Sequence, residues 1–240
     1  MKNSVVKKTT FGKLLDMLLP FYCRGCGKTG SLLCEDCKSD IKIIGRVQRI
    51  GDGKEEQEVL IQGADNNENV KKTIRLGEIE ELFIGGFREG ALKTLISDYK
   101  FKSVKKSTEV LVPILDEAVP EDLDAVIVPL PTIRKHIRER GFDHTLRLAE
   151  EFGKKRGLRI SKVLIRANKT VQVGADEEMR EKQAAEAYKV DLERFKPEET
   201  YLLLDDVWTT GASMRAAAKK LREAGAKRIL GVSLSSCFGR

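Results

Sequence analysis

No run of about 18 or more apolar residues occurs in the 240-residue chain, so a membrane-spanning helix is not expected. Aromatic residues make up 6%, too few for a surface built mainly on stacking against bases. There is no internal repeat, no Gly-X-Y period and no G-x-x-x-x-G-K-[ST] phosphate loop. A collagen-like chain and a Walker-type nucleotide site are thereby excluded. What the chain does have is an apolar share of 41% and a charged share of 34%, which lets it bury a core and stay soluble and excludes a mainly disordered chain. Its net charge of +7 suits a polyanionic partner, nucleic acid or a phosphorylated ligand, although many soluble proteins carry as much.

Near the N-terminus Phe11, Leu14, Leu15, Leu18 and Leu19 recur at helical spacing, interrupted by Lys13 and Asp16. Pro20 and a cysteine pair follow instead of a small-residue cleavage site. The expectation is a short amphipathic helix in a cytoplasmic protein.

Four of the five cysteines form two C-x-x-C pairs, Cys23/Cys26 and Cys34/Cys37. Each pair makes a tight knuckle that aims two sulfurs at one point, with Gly25 and Gly27 loosening the turn. Structural zinc held by four thiolates is the expected occupant. Two disulfides, or an iron–sulfur cluster, are the rivals. Cys237 stands alone and reads as an incidental or buried thiol.

The chain divides into residues 1–40 (helix and cysteine module), 41–83 (a β-rich extension or linker) and 84–240 (an α/β domain). In the second part Ile41, Ile43, Ile44, Val47 and Ile50, then Val59, Leu60 and Ile61, read as short strands between polar loops. In the third, helical stripes run through Leu92, Leu95, Ile96 and Tyr99, through Leu111, Ile114, Leu115 and Ala118, and through Phe142, Leu146, Ala149 and Phe152. A last stripe runs through Met214, Ala217, Ala218 and Leu221. Between them lie continuous apolar runs at 125–128, 201–204 and 229–234, as buried parallel strands require. Strands alternating with helices predict a doubly wound parallel sheet with ligands at the carboxyl ends of its strands.

One such end reads Tyr201-Leu-Leu-Leu-Asp-Asp-Val-Trp-Thr-Thr-Gly-Ala-Ser213. The strand delivers Asp205 and Asp206 to the rim, and Thr209, Thr210, Gly211, Ala212 and Ser213 open a helix. Free N–H groups and hydroxyls there form a phosphate cradle. Two acids beside a phosphate repel it unless a sugar diol lies between them and a divalent cation offsets the charge. The predicted ligand is therefore a ribose 5-phosphate group.

These thirteen residues resemble the phosphoribosyl pyrophosphate (PRPP) signature of type I phosphoribosyltransferases. The resemblance extends to the ComF family, the competence protein and its GntX-like relatives. It is carried by Leu14-Leu-x-x-Leu-Leu-Pro20 before a C-x-x-C pair, Tyr99-Lys100-Phe101, Val128-Pro-Leu-Pro131 and Arg138-Glu-Arg-Gly-Phe-Asp-His144. Gln172, Arg180, Gln183 and Tyr188 take the places of a later Gln, an Arg-x-x-Asn and a phenylalanine. The resemblance implies a type I phosphoribosyltransferase-like parallel sheet flanked by helices, with a small zinc-ribbon-like module before it. It implies Asp205 and Asp206 as the catalytic pair on the ribose hydroxyls and Thr209 to Ser213 on the 5-phosphate. Pro129, Leu130 and Pro131 would form the pyrophosphate loop, with Arg138 and Arg140 beside it and Mg²⁺ on the diphosphate. Departures fall where the family has Asn-Gln (here Asp143-His144), an Asn (Gln183) and a small aliphatic residue (Trp208). His144 reads as structural or solvent-facing.

Residues 132–160 hold nine Lys/Arg against four acids. Arg134, Lys135, Arg138 and Arg140, with Lys100 and Lys102, form the candidate nucleic-acid contacts. The family implies a cytoplasmic factor of natural transformation that handles incoming single-stranded DNA beside the competence helicase and other DNA-uptake proteins. The alternative is an active transferase moving ribose 5-phosphate from PRPP to a nucleobase-like acceptor; a third is a zinc-bearing interaction protein that keeps the fold as scaffold.

Overall fold

The computed structural model describes residues 21–50, 57–62, 69–101, 105–167 and 186–237. The helix expected over residues 11–19, the polar loops of the extension, Lys102, Gln172, Arg180 and Gln183 lie outside them. In chain order the strands are β1 (Gly45–Ile50), β2 (Gln57–Gln62), β3 (Asn69–Ile74), β4 (Glu81–Ile84), β5 (Val126–Pro129), β6 (Leu164–Arg166), β7 (Tyr188–Val190), β8 (Thr200–Trp208) and β9 (Arg228–Ser236). The helices are α1 (Glu35–Ser39), α2 (Gly90–Phe101), α3 (Thr108–Glu117), α4 (Arg134–Arg140), α5 (His144–Arg156) and α6 (Ala212–Glu223).

Seven strands form one sheet in the order β3-β2-β1-β4-β9-β8-β5. The four from β4 to β5 are mutually parallel, with Val128 opposite Leu203 and Leu204 opposite Val232. β1 turns the direction, and β1, β2 and β3 continue the same sheet as antiparallel ribbons. β6 and β7 pair separately, antiparallel.

The continuous apolar runs follow from burial on both faces. Ile127, Leu202, Leu204, Leu230 and Val232 meet Leu92, Leu95, Leu111, Leu115, Leu148 and Phe152 of α2, α3 and α5. Val128, Tyr201, Leu203 and Ile229 meet Met214, Ala217 and Leu221 of α6, with Leu164 and Tyr188 of the small sheet. Each fully buried side chain of this size contributes about 1.5–3 kcal/mol relative to exposure. The architecture is thus mixed α/β with a mostly parallel sheet between helices, as the alternation predicted.

Two details differ from the sequence reading. In α5 the buried stripe is Thr145, Leu148, Ala149 and Phe152, while Leu146 is half-buried. The helix starts at His144, capped by the Asp143 carboxylate that accepts the Leu146 N–H at 3.1 Å, so Phe142 stands before it and the stripe turns by one residue. β8 also does not stop at Leu204 but runs on through both acids to Trp208, still paired with β9.

Candidate functional site

The last residues of β5, β8 and β9 and the chain after β4 meet along one edge. The Leu130 N–H donates to the Leu204 carbonyl at 2.9 Å, and the Arg88 N–H to that of Ser236 at 2.8 Å. β5 ends at Pro129, opposite Leu204, so β8 projects beyond it from Asp205 onward. That projection is what presents the acids.

The two carboxylates have different surroundings. Asp206 is buried: its Oδ2 lies 2.6 Å from Lys100 Nζ at the end of α2 and 2.9 Å from His144 Nε2 at the start of α5. Asp205 is less enclosed, and one of its oxygens accepts the Asp206 backbone N–H at 2.9 Å. Burial pushes the Asp205 carboxyl up to about 6, against the opposing charges of Lys100 and Arg166. Burial likewise brings Lys100 down to about 8, helped by Arg88 and Arg140 and opposed by Asp205. Burial also drives His144 down to about 3, reinforced by Arg140, Lys100 and His136. That imidazole is neutral at physiological pH.

Beyond Trp208 the chain turns through exposed Thr209 and Thr210 into α6. Gly211 precedes the helix with φ 76°, in the left-handed region, and a Cβ there would stand 2.2 Å from Cζ2 of the Trp208 ring. Only glycine fits both constraints. The Ala212 N–H donates to Thr210 Oγ1 at 3.4 Å, and Arg215 Nη1 to the Thr210 carbonyl at 2.5 Å. Ser213 is exposed in the first turn of α6. The first N–H groups of α6 have no carbonyl four residues back, the ordinary basis of an anion cradle.

Of the cations named from sequence, Lys100 and Arg140 reach the acids or their partners. Arg140 Nη1 lies 2.9 Å from His144 Nδ1, and its guanidinium stands over the exposed Phe101 ring, 5.2 Å from the centroid. Arg134, Lys135 and Arg138 are exposed on α4, with Lys135 3.9 Å from Glu139. Sequence reasoning missed Arg166, which ends the short strand β6. Its Nη1 donates to the Pro131 carbonyl at 3.2 Å and to the Tyr188 hydroxyl at 3.5 Å, bridging the proline loop and the small sheet. Arg88 was missed too; a single arginine after a strand carries no sequence signal. His144 is buried rather than solvent-facing, and its spacing of four from Arg140 was the one available hint.

The four cysteine sulfurs of the two pairs lie within 4.8 Å of one another, with Cys34 Sγ 3.6 Å from both Cys23 and Cys26. Thiolates about 2.3 Å from one tetrahedral ion stand about 3.8 Å apart. The cluster therefore fits a single metal ion such as zinc. Burial works to raise the Cys23 thiol, but the backbone amides of Cys26, Cys34 and Gly25 outweigh it and bring it to about 6. Burial and the neighbouring sulfurs push Cys37 up to about 12. A cation would hold all four as thiolates. The knuckle is fused to the sheet domain: Cys23, Leu32 and Leu33 share its core, and Arg24 Nε meets the buried Asp98 of α2 at 2.5 Å. A Cβ on Gly25 would stand 2.5 Å from Cys37 Sγ and 3.3 Å from the Ala91 Cβ, so glycine permits this docking.

No family model matches the chain, and no curated protein matches it. Among solved structures it is similar to the allosteric regulatory enzyme of purine biosynthesis, at 14% identity and a TM-score of 0.42, over 74% of this chain and 35% of that one. It is also similar to the glutamine PRPP amidotransferase from B. subtilis, at 15% identity and a TM-score of 0.42, over 78% of this chain and 37% of that one. The chain thus spans little more than a third of either structure.

Proposed function

We propose that the chain binds PRPP with Mg²⁺ at the carboxyl edge of its sheet, as a protein of the ComF kind that serves natural transformation. The observation that carries this reading is the run from β8 into α6. It places an acidic strand end, suited to a ribose diol, directly before a glycine-led helix N-terminus, suited to the 5-phosphate. Lys100, Arg140 and Arg166 lie near that edge and would offset the diphosphate charge, with Pro129 to Pro131 as its loop. Catalysis at such a site is positioning and charge stabilisation, and needs no nucleophilic side chain.

The nucleic-acid part of the proposal rests on α4. Arg134, Lys135 and Arg138 are exposed beside Arg140, and Phe101, 69% exposed, offers a ring for a base. That pairing suits single-stranded DNA delivered by the competence helicase, in the cytoplasm. The ion in the cysteine cluster is assigned as zinc.

Trp208, the sole tryptophan, packs on Gly211 and reports directly on the cradle. Titrating PRPP into the protein with Mg²⁺ should change its fluorescence saturably, and inorganic phosphate should do so only weakly. A flat signal with folded protein would contradict the site. Binding of labelled oligonucleotide should fall steeply with salt and weaken in Arg134→Ala/Lys135→Ala/Arg138→Ala. Salt-independent binding, or none, would remove the DNA role, and PRPP turnover with an added nucleobase would establish the transferase instead.

A further inference from the structure

We infer that the cysteine knuckle is a positioning element of the sheet edge. Arg24, held inside the first C-x-x-C turn, sets the last turn of α2, and that turn carries Lys100 to Asp206. Metal occupancy of the knuckle and ligand binding at the edge are then coupled. The inference rests on the PRPP reading of that edge and adds what the metal does for it.

The end of α2 is a junction. Consecutive helical residues point about 100° apart, so Asp98, Tyr99 and Lys100 leave the helix toward different elements. Asp98, 2% exposed, forms an ion pair with Arg24 Nε of the knuckle at 2.5 Å. Tyr99, fully buried, donates its hydroxyl to the His144 carbonyl at 2.7 Å, where α5 starts. Lys100 brings its Nζ to 2.6 Å from Asp206 Oδ2 near the end of β8. A shift of this one turn disturbs all three contacts together.

The knuckle fixes Arg24 from the other side. Arg24 stands between Cys23 and Cys26, in a turn closed by the Gly27 N–H donating to the Cys23 carbonyl at 2.9 Å. Its own N–H donates to the Leu32 carbonyl at 3.0 Å, which joins that turn to the chain leading into the second cysteine pair. One ion drawing the four sulfurs together thus also sets where Arg24 stands. The docking runs the length of the helix: Leu32 and Leu33 share a core with Leu92 and Leu95, and Gly25 lies against Ala91 in the first turn. When the ion is lost, Asp98 stays buried while the cation that the knuckle supplies is released. A buried charge deprived of its cation is unfavourable. The end of a helix relieves this by local opening, which withdraws Lys100 from Asp206.

Competition against a chelator of known affinity measures how tightly the full chain holds zinc, with and without saturating PRPP and Mg²⁺. Coupling between two sites is reciprocal, so PRPP should tighten zinc about tenfold in wild type. Arg24→Lys should keep most of that factor, and Arg24→Met should reduce it to under about twofold. Because Arg24→Met leaves a buried charge behind, the double variant Arg24→Met/Asp98→Asn serves as the second test. It carries no lone charge there, so it should regain stability without regaining the coupling, which a purely structural role for Arg24 would restore. A further readout needs no ligand. In the zinc-loaded double variant the amides of Asp98, Tyr99 and Lys100 should exchange hydrogen at least about tenfold faster than in wild type, while those of α6 keep their rates. Zinc tightened by PRPP as much in the double variant as in wild type would overturn the inference, as would unchanged exchange at the end of α2. If folded wild type binds no PRPP, the ligand reading fails and exchange alone decides. Faster exchange confined to the end of α2 then still supports the knuckle as the clamp of that turn, and unchanged exchange overturns it.

Discussion

Replacing Gly211 by alanine tests the construction of the proposed phosphate cradle without touching a charged group. Two costs apply. An alanine at φ 76° meets the left-handed penalty of about 1–2 kcal/mol. Its Cβ would also stand 2.2, 2.5 and 2.7 Å from three atoms of the Trp208 ring. Trp208 is buried, and overpacking at such a contact costs about 1–3 kcal/mol. The expected total is about 3 kcal/mol, a fall of about 6–12 °C in melting temperature for a chain of this size. A double-mutant cycle separates the two costs. With Trp208→Leu as background the ring is gone, so Gly211→Ala should cost about 1–2 kcal/mol there. Urea denaturation followed by circular dichroism measures all four corners. Equal costs of Gly211→Ala in both backgrounds would refute the packing of Trp208 on the loop.

Three further outcomes follow from the same structure. Cys23→Ser or Cys34→Ser should lower both metal content and stability, since metal affinity at such a site is folding energy; unchanged zinc content by elemental analysis would contradict a four-sulfur metal site. Arg24→Met should cost on the order of 3 kcal/mol, because it removes the cation beside the buried Asp98 carboxylate where the knuckle docks on α2; an unchanged urea midpoint would contradict that docking. Asp205 titrates near 6 in the folded chain, above the ordinary carboxylate range. Below about pH 6 the folded state therefore binds more protons than the unfolded one, and wild type should gain stability relative to Asp205→Asn as the pH falls toward about 4. A pH-independent difference between the two would contradict the burial of that carboxyl.

The fold was readable where a helix or strand buries its whole pattern. Leu92, Leu95, Ile96 and Tyr99 line α2 as their spacing requires, and the runs at 126, 201 and 229 become the parallel strands. It was less readable where a single capping residue sets the phase: Asp143 caps α5 so that it starts at His144, two residues after the Phe142 of the apolar pattern. β6 and β7, three residues each, are too short to show a period, and Arg166 was lost with them. At the candidate site the strand-acid-acid-glycine-helix order was legible because backbone geometry imposes it locally. The difference between Asp205 and Asp206 was not, because it depends on Lys100 and His144 arriving from helices distant in sequence. Adjacent carboxylates look alike in a sequence; the alternation of a strand sends them to different neighbours.

The most direct test of the site is titration calorimetry of the metal-loaded protein with PRPP in the presence of Mg²⁺, wild type against Asp205→Ala. Saturable one-site binding by the wild type, lost in an Asp205→Ala variant that keeps its circular dichroism spectrum, is the predicted result. No heat of binding with folded wild type, or undiminished binding by the variant, would contradict the assignment of this sheet edge as a PRPP site.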